Sequence, residues 1–426
     1  MKSAILSALV LASCGVVNAL PYTGGVRIAM NNQKPVDEDT KDVFTPPEDW
    51  PISPDSGEKH IPYDWQKGGI QNPKPKPFTP AGGKGVEPWP LTKPFYHPLS
   101  DFDHESLQLA LYQEYIELDL FRYGLKRFSK EEFEKYGIDE DEQFLLQYMS
   151  DQEIGHARLI SNMIGPSAAK QCNYSYPFDT VQGFIDFSQK LTKWGEAGVY
   201  GFLSHLDSRS AATLLTQSIT TEARQQLIFR QLEGLFPMPE WFEPGIPQSW
   251  AWTLLAPWIY SCPEDNHYLV WQNFPALNIT NNPDPTNPYY TPDISTNRTA
   301  LSYPGRKVEL AWEKPGKKVG PDGKYTTSTD AGAPKFVAWV NQLNLTYTEL
   351  KLNDDGFSGW TIQPGDYVFP PESGKSNGTD TGPQAVRIVN GTMFIAITDS
   401  NPFLTPFNLS LINPHVVAGP AVYASG

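Results

Sequence analysis

Hydrophobic side chains recur every three or four residues through the middle of the chain, between Asp101 and Phe236. This spacing places them on one face of an α-helix, and short polar or Gly/Pro breaks divide the pattern into four such helices. One break is the pair Gly165-Pro166, which should end the second helix. Because short connections make consecutive helices antiparallel neighbours, we predict a four-helix bundle over residues 100–238.

The flanks of the predicted bundle have different patterns. Residues 20–99 are rich in Pro and Gly without sustained periodicity, which predicts an extended arm. Residues 239–304 contain one short apolar segment, WAWTLLAPWIYSC, and should cover the bundle as an otherwise irregular stretch. Residues 305–426 alternate in short runs between turn signals, which predicts a small β-rich, sandwich-like domain. The expected fold is therefore mainly α in its core, with a C-terminal β domain.

Two turn signals locate hairpins in the C-terminal region. Pro321-Asp322-Gly323 is one of them. The other is Asn390-Gly391, which joins the alternating runs Val386–Val389 and Met393–Ile397 and is typical of a tight two-residue hairpin.

The first 19 residues, MKSAILSALVLASCGVVNA, combine a basic start, a short apolar run and small residues before a cleavage point after Ala19. This arrangement is typical of a secretory signal peptide. The run is too short to span a bilayer, and no later segment reaches the roughly 20 apolar residues that a span requires. We expect the protein to be secreted, or held in the cell wall or the secretory pathway.

Export changes how the cysteines are interpreted. Cleavage would remove Cys14 and leave Cys172 and Cys262 to enter an oxidising compartment, where we expect them to form a disulfide. Seven Asn-x-Ser/Thr sequons fit a secreted glycoprotein. They are Asn173, Asn278, Asn297, Asn344, Asn377, Asn390 and Asn408. The net charge of −15 argues against nucleic acid or anionic membrane as a partner, because both require cationic surface.

Several polar side chains lie on the apolar stripes, where helical periodicity directs them into the core. They are Glu114, Glu153, His156, Glu222 and Gln225. Ionised carboxylates inside a bundle are costly unless a cation meets them, and converging carboxylates also repel one another. A metal ion would solve both problems. In two-metal bundle sites, two helices each supply one Glu and the other two each supply Glu-x-x-His.

This sequence matches that arrangement only in part. Glu153 and His156 fit the Glu-x-x-His pair, but Gln225 stands where the second His belongs, and Thr192 stands where the third helix should supply a carboxylate. The pattern predicts a degraded site for one or two Fe or Mn ions, or for none. We take Glu114, Glu153, His156 and Glu222 as ligands, with Glu196 and Gln225 as weaker candidates.

Each of these residues also has an alternative structural role. Glu114 could pair with Arg158 or Arg224, and Glu117 is its rival on the same helix. Glu153 with His156 could be a hydrogen-bonded pair, and Glu222 with Gln225 a buried polar network without metal. Lys193 could cancel an internal carboxylate, and Glu196 could lie at the edge of the core. The remaining histidines show no ligand spacing: His60, His97, His104, His205, His267 and His415.

Several runs resemble a family of secreted fungal proteins with a ferritin-like domain, the Rds-type stress-response and LsdA-like sexual-development proteins. Those runs include LALYQEYIELDLFRYGL, MSDQEIGHARLI, SITTEARQQLIFRQLEG and LLAPWIYSCPEDN, and the resemblance extends from about Phe44 to the C-terminal NPFLTPFNLSLINPHVVAGPAVYASG. It implies a ferritin-like bundle and a role in stress, nutrient limitation or development, without an established reaction. Matched to the wider superfamily, the metal ligands fall on Glu114, Glu153, His156 and Glu222.

Two functions therefore compete. The first is a metal-binding protein in which Glu114 and His156 are terminal ligands and Glu153 and Glu222 can bridge, with at most a weak metal-dependent oxidase or ferroxidase activity. The second is a non-catalytic structural or protective protein that uses the bundle as a scaffold for cell-wall or protein partners. The arm, the β domain and the glycans would crowd the outer bundle surface, which argues against assembly into a ferritin-style cage.

Overall fold

A computed structural model describes residues 96–286, 291–294, 301–365 and 391–426. The predicted signal peptide and nearly all of the predicted arm lie outside these residues. The α-helices are α1 (Asp101–Arg127), α2 (Lys130–Tyr136), α3 (Glu140–Ile164), α4 (Val181–Leu203), α5 (Arg209–Leu232) and α6 (Gln248–Leu255).

Helices α1, α3, α4 and α5 form the predicted four-helix bundle. Each starts at a side chain that accepts a hydrogen bond from the first turn, namely Ser100, Asp139, Thr180 and Ser208. The second bundle helix, α3, ends at Ile164, directly before Gly165-Pro166 as expected. The local signals and the apolar stripes therefore agree on the same four helices.

The short helix α2 was not predicted. It lies between α1 and α3, and Ser129 starts it with a capping box in which Ser129 and Glu132 bond to each other's backbone N–H groups. Gly137 ends it in the left-handed region at φ 96°. The sequence carried both signals, but seven residues are too few to show helical periodicity.

Helix α1 is enclosed on several sides. It packs against α3, α4 and α6, so its buried face is much wider than a single stripe. α6 comes from the segment that we expected to cover the bundle, and Trp250 and Trp252 on it are fully buried in the main core. This segment therefore contains a helix that the sequence analysis did not predict.

The strands of the described residues are β1 (Asn173–Tyr174), β2 (Ile259–Ser261), β3 (Leu277–Ile279), β4 (Lys307–Trp312), β5 (Lys318–Val319), β6 (Tyr325–Thr326), β7 (Phe336–Asn341), β8 (Asn344–Glu349), β9 (Lys351–Leu352), β10 (Ser358–Ile362), β11 (Thr392–Thr398) and β12 (Val416–Ala424). Two four-stranded antiparallel sheets follow the bundle, with the strand orders β3-β4-β10-β9 and β12-β11-β7-β8. Two further pairs, β1 with β2 and β5 with β6, form small ribbons.

The two larger sheets pack face to face as the predicted sandwich, and the second sheet also lies against the bundle. On β7, Val337 and Trp339 belong to the core between the sheets, whereas Ala338 and Val340 belong to the bundle core. Successive side chains of a strand point to opposite faces, so β7 serves both cores at once. The same holds for β11, in which every residue is buried. Apolar surface on both faces explains its nearly continuous hydrophobic sequence.

The turn signals have different outcomes. Pro321-Asp322-Gly323 connects the antiparallel strands β5 and β6, as predicted. The run Val386–Val389 lies outside the described residues, and the run Met393–Ile397 forms β11, whose two neighbours are β12 and β7.

A disulfide joins Cys172, after α3, to Cys262, after β2, across a sequence separation of 90 residues. It confirms the predicted pairing. Strands β1 and β2 lie beside it, and the backbone N–H of Ser175 donates to Trp258 O at 3.0 Å. Within the part of the chain that the structure describes, no helix has both the length and the apolarity needed to cross a bilayer.

Two helical glycines should respond oppositely to a Cβ atom. At Gly201 on α4 the added carbon would lie 1.8 Å from Ile246 O, whereas at Gly155 on α3 nothing lies within 4 Å. We expect Gly201→Ala to lower the free energy of unfolding by about 3 kcal/mol through overpacking. Gly155→Ala should raise it by about 1 kcal/mol, because alanine is the better helix former. Guanidinium unfolding of both variants measures these changes. A lower free energy of unfolding in Gly155→Ala would contradict the open space around this position.

Candidate metal centre

Three helices supply the candidate ligands. Glu114 lies on α1, Glu153 and His156 on α3, and Glu222 on α5. The spacing of three residues on α3 places its two side chains on one face of the helix, so both point into the bundle together. All four side chains are buried.

The imidazole of His156 lies at the centre of the site. Its Nδ1 is 3.2 Å from Glu114 Oε2, 3.0 Å from Glu153 Oε2 and 3.8 Å from Glu222 Oε1. One ligand atom from each of the four residues lies within 4.8 Å of every other. The structure therefore brings together the four residues that the sequence singled out.

The other ring nitrogen of His156 is held by Thr221. His156 Nε2 is 2.9 Å from Thr221 Oγ1, and the Thr221 hydroxyl donates to Ser218 O at 2.7 Å. Because the hydroxyl proton is used in that bond, Thr221 Oγ1 accepts from Nε2–H. When Nδ1 gives up its proton, the bond to Thr221 keeps the remaining proton on Nε2 and leaves Nδ1 as the atom that can bind a metal.

A fourth carboxylate, Glu117, is also buried beside the site. Its Oε1 accepts from Gln113 Nε2 at 2.6 Å, and its Oε2 has no hydrogen-bond partner in the described residues. The sequence analysis treated Glu117 as a rival to Glu114, but the structure buries both. The wide buried face of α1 explains this, since residues three apart can both lie inside it.

The positions that depart from the two-metal pattern hold neutral groups. Gln225 Nε2 donates to Glu153 Oε1 at 2.6 Å, so it occupies the second oxygen of that carboxylate. Thr192 is fully buried, and its hydroxyl has no partner among the residues described. A second metal ion would need an imidazole ligand at position 225, but Gln225 offers an amide that donates to Glu153. The residues present therefore fit one ion better than two.

The carboxyl groups of the site outnumber its one basic group. Burial raises the pKa of Glu114 to about 7, although His156 opposes the shift. Burial and the neighbouring carboxylates raise the pKa values of Glu117 and Glu222 well above the usual range. Burial alone would lower the pKa of His156, but Glu114 and Glu153 outweigh it and raise that pKa to about 12. Four acidic groups thus share one imidazole.

No arginine or lysine of the described residues forms an ion pair with Glu114, Glu153 or Glu222. Within the described ranges, the ion pairs of Glu114, Glu153 and Glu222 are all with His156. Of the two arginines considered as partners of Glu114, Arg158 is exposed, and Arg224 donates to Thr220 O at 2.9 Å. The alternative in which an arginine neutralises Glu114 is therefore wrong.

Glu196 belongs to a different charged cluster. The buried Lys193 ammonium contacts the carboxylates of Glu240 and Glu243, and it also lowers the pKa of Glu196, which burial raises well above its usual value. Glu196 is not part of the four-residue group at the candidate site. Lys193 therefore neutralises internal carboxylates, as one alternative proposed. Its partners, Glu240 and Glu243, lie after α5 in a segment without a periodic pattern in the sequence.

The sequons differ in accessibility. Asn173 and Asn278 are exposed and Asn408 is partly exposed. Asn344 is buried, and its amide donates to Thr346 Oγ1 at 3.0 Å, which disfavours a glycan there. The others, Asn297, Asn377 and Asn390, lie outside the described residues.

Comparisons with known proteins agree with the fold. Residues 102–235 match the sequence model of the ferritin-like domain, and this range includes every candidate ligand. The chain is also 53% identical over 370 residues to "Protein rds1" of Schizosaccharomyces pombe, an alignment that covers 84% of this chain and 88% of the relative. This identity over most of both proteins shows that the chain belongs to the fungal Rds-type family of ferritin-like proteins.

Proposed function

We propose that this chain is a secreted, stress- or development-associated ferritin-like protein that binds one iron or manganese ion in its bundle. The observation that carries the proposal is the convergence of Glu114, Glu153, His156 and Glu222 from three helices, with ligand atoms within 4.8 Å. In their ionised form these buried acids repel one another and outnumber the one imidazole, and a divalent ion would supply the missing positive charge.

The donor set suits the proposed metals. Three carboxylates and one imidazole are ligands that Fe(II) and Mn(II) accept readily, whereas soft thiolates are not present in the group. Two buried oxygens, Glu222 Oε2 and Glu117 Oε2, have no hydrogen-bond partner in the described parts of the chain, and the charge of a nearby cation would offset their desolvation. Bound iron would supply one-electron redox chemistry, and the residues around it would hold it among carboxylates that favour the ferric state.

Secretion and the stress or development role are parts of the same proposal. The pattern of residues 1–19 supports export. The disulfide between Cys172 and Cys262 supports it as well, because such bonds persist in oxidising compartments. The biological role is taken from the resemblance to the Rds-type family.

A second candidate is a structural or protective protein that holds no metal. The hydrogen bond from Gln225 to Glu153 favours it, because an amide there satisfies part of the site without a cation. Under this proposal the bundle is a scaffold, and the sandwich or the glycans contact the cell wall or a protein partner. The two candidates differ in metal content.

Metal analysis separates them. After reconstitution with Fe(II) without oxygen, or with Mn(II), and then gel filtration, we expect His156→Ala to hold about one ion per chain less than the wild type. Glu222→Gln, which keeps the shape of the side chain, should lose most of the same ion. Inductively coupled plasma mass spectrometry measures both.

Glu233→Gln is the matched control. Glu233 is another buried carboxylate near the end of α5, next to Asp186 and Lys190, and its loss should leave the metal content at the wild-type level. Equal metal content in the wild type and His156→Ala would reject the metal proposal and leave the scaffold. A difference of two ions per chain between the wild type and His156→Ala would contradict the single-ion site.

A further inference from the structure

A second group of metal-binding side chains lies outside the bundle core. His104 and Glu105 are in the first turns of α1, and His267 is in the segment after Cys262. One ligand atom from each lies within 4.8 Å of the others. Spacing along the sequence could not show this group, because His267 lies more than 160 residues beyond His104 and Glu105.

The geometry is close to that of a three-ligand site. His267 Nε2 is 2.6 Å from Glu105 Oε1, and His104 Nδ1 is 3.9 Å from the same oxygen. The two imidazole rings meet edge to face with centroids 4.9 Å apart. Ligands of a tetrahedral zinc ion lie about 3.3 Å from one another, so small side-chain rotations would seat the ion.

The surrounding contacts orient these groups. His104 Nε2 lies 3.0 Å from Ser167 Oγ, at hydrogen-bond distance. The other ring nitrogen, Nδ1, faces Glu105. A ligand histidine whose other nitrogen is held by a hydrogen bond is the usual arrangement in metal sites. The second oxygen of Glu105 is buried and has no hydrogen-bond partner in the described residues.

The backbone of both segments is fixed before any ion arrives. The hydroxyl of Tyr112 donates to His267 O at 3.1 Å, and the indole of Trp271 donates to Glu105 O at 3.1 Å. Asn266 Nδ2 donates to Lys170 O at 2.7 Å. The segment that carries His267 is thus held against α1, and preorganisation lowers the cost of binding.

We propose that His104, Glu105 and His267 form a site for a divalent first-row transition metal, with Zn²⁺ as the best match. Two imidazoles and one carboxylate are a recurrent zinc ligand set in which water takes the fourth position. The side chains are between 14% and 29% exposed, so the ion can enter and keep that water. The site is independent of the bundle centre, and it bridges α1 to the segment after the disulfide.

Titration of the metal-free full chain with Zn²⁺ and with Co²⁺ tests the proposal. Calorimetry should show a site that His267→Ala or Glu105→Gln weakens by at least about 100-fold, because each removes a direct ligand. His104→Gln keeps a side chain that can hydrogen-bond to Ser167 and should show the same loss. Bound Co²⁺ should give the intense visible absorption of a tetrahedral ion, and the three variants should lack it.

Two controls make the result specific. His205→Ala removes another exposed histidine near the start of α5 and should bind Zn²⁺ like the wild type. His156→Ala removes the bundle ligand and should also retain the site. Unchanged Zn²⁺ affinity in all three cluster variants, or loss of the site in His156→Ala alone, would overturn the proposal. Circular dichroism confirms that each variant is folded.

Discussion

Replacing both disulfide cysteines, as Cys172→Ala with Cys262→Ala, should lower the free energy of unfolding by about 4–5 kcal/mol. The bond closes a loop with a sequence separation of 90 residues, and loop-closure entropy predicts roughly this value for a loop of that length. That loop contains α4 and α5, which supply half of the bundle. Guanidinium unfolding at equilibrium, followed by circular dichroism, measures the loss.

A reducing agent provides the matched control. Dithiothreitol should destabilise the wild type by a similar amount and leave the double variant unchanged, since the variant has no bond to reduce. Strands β1 and β2 and the hydrogen bond from Ser175 to Trp258 should keep the native arrangement locally. A difference below about 1 kcal/mol would mean that the unfolded chain is already constrained in this region.

The bundle was predictable because several local signals agreed. Apolar residues repeated with the helical period, and capping residues such as Ser208 marked where the helices begin. The sandwich was predictable only as a class. Short strands carry little periodic information, and the pairing of β7 with β11 joins segments more than 50 residues apart. The sequence also gave no sign that this sheet would be buried on both faces.

In the candidate site, too, local signals were predictable and tertiary surroundings were not. Glu153 and His156 were identified because their spacing on one helix is a local signal, and Glu222 because it interrupts an apolar stripe. Glu117 was set aside because periodicity cannot show how many neighbours cover a helix. Those neighbours, α3, α4 and α6, are known only from the structure.

Ion-pair partners that lie far apart along the chain could not be predicted from the sequence. Lys193 was noted as a cation near Glu196, but its partners Glu240 and Glu243 lie more than 45 residues further along the chain. The pairing of a buried lysine with two carboxylates follows from the cost of leaving any of them alone. The sequence predicts that such a charge needs a partner, and only the fold identifies it.

Substitution of Glu153 and Glu222 together by glutamine should have opposite consequences with and without metal. In the metal-free protein, the change removes two mutually repelling buried acids and keeps their shape, so we expect the stability to stay equal or to rise by about 1–3 kcal/mol. With Fe(II) or Mn(II) at about 1,000 times its dissociation constant, the wild type should gain about 4 kcal/mol. The variant should gain almost nothing.

The reversal distinguishes a metal centre from a buried polar network. In a network without metal, the two substitutions would change stability by the same amount whether or not metal is added. Thermal unfolding of the wild type, the double variant and Glu233→Gln, each with and without Mn(II), measures the difference, and the Glu233 control should gain as much from metal as the wild type. A metal response confined to proteins that retain Glu153 and Glu222 would therefore place the ion among the four candidate ligands.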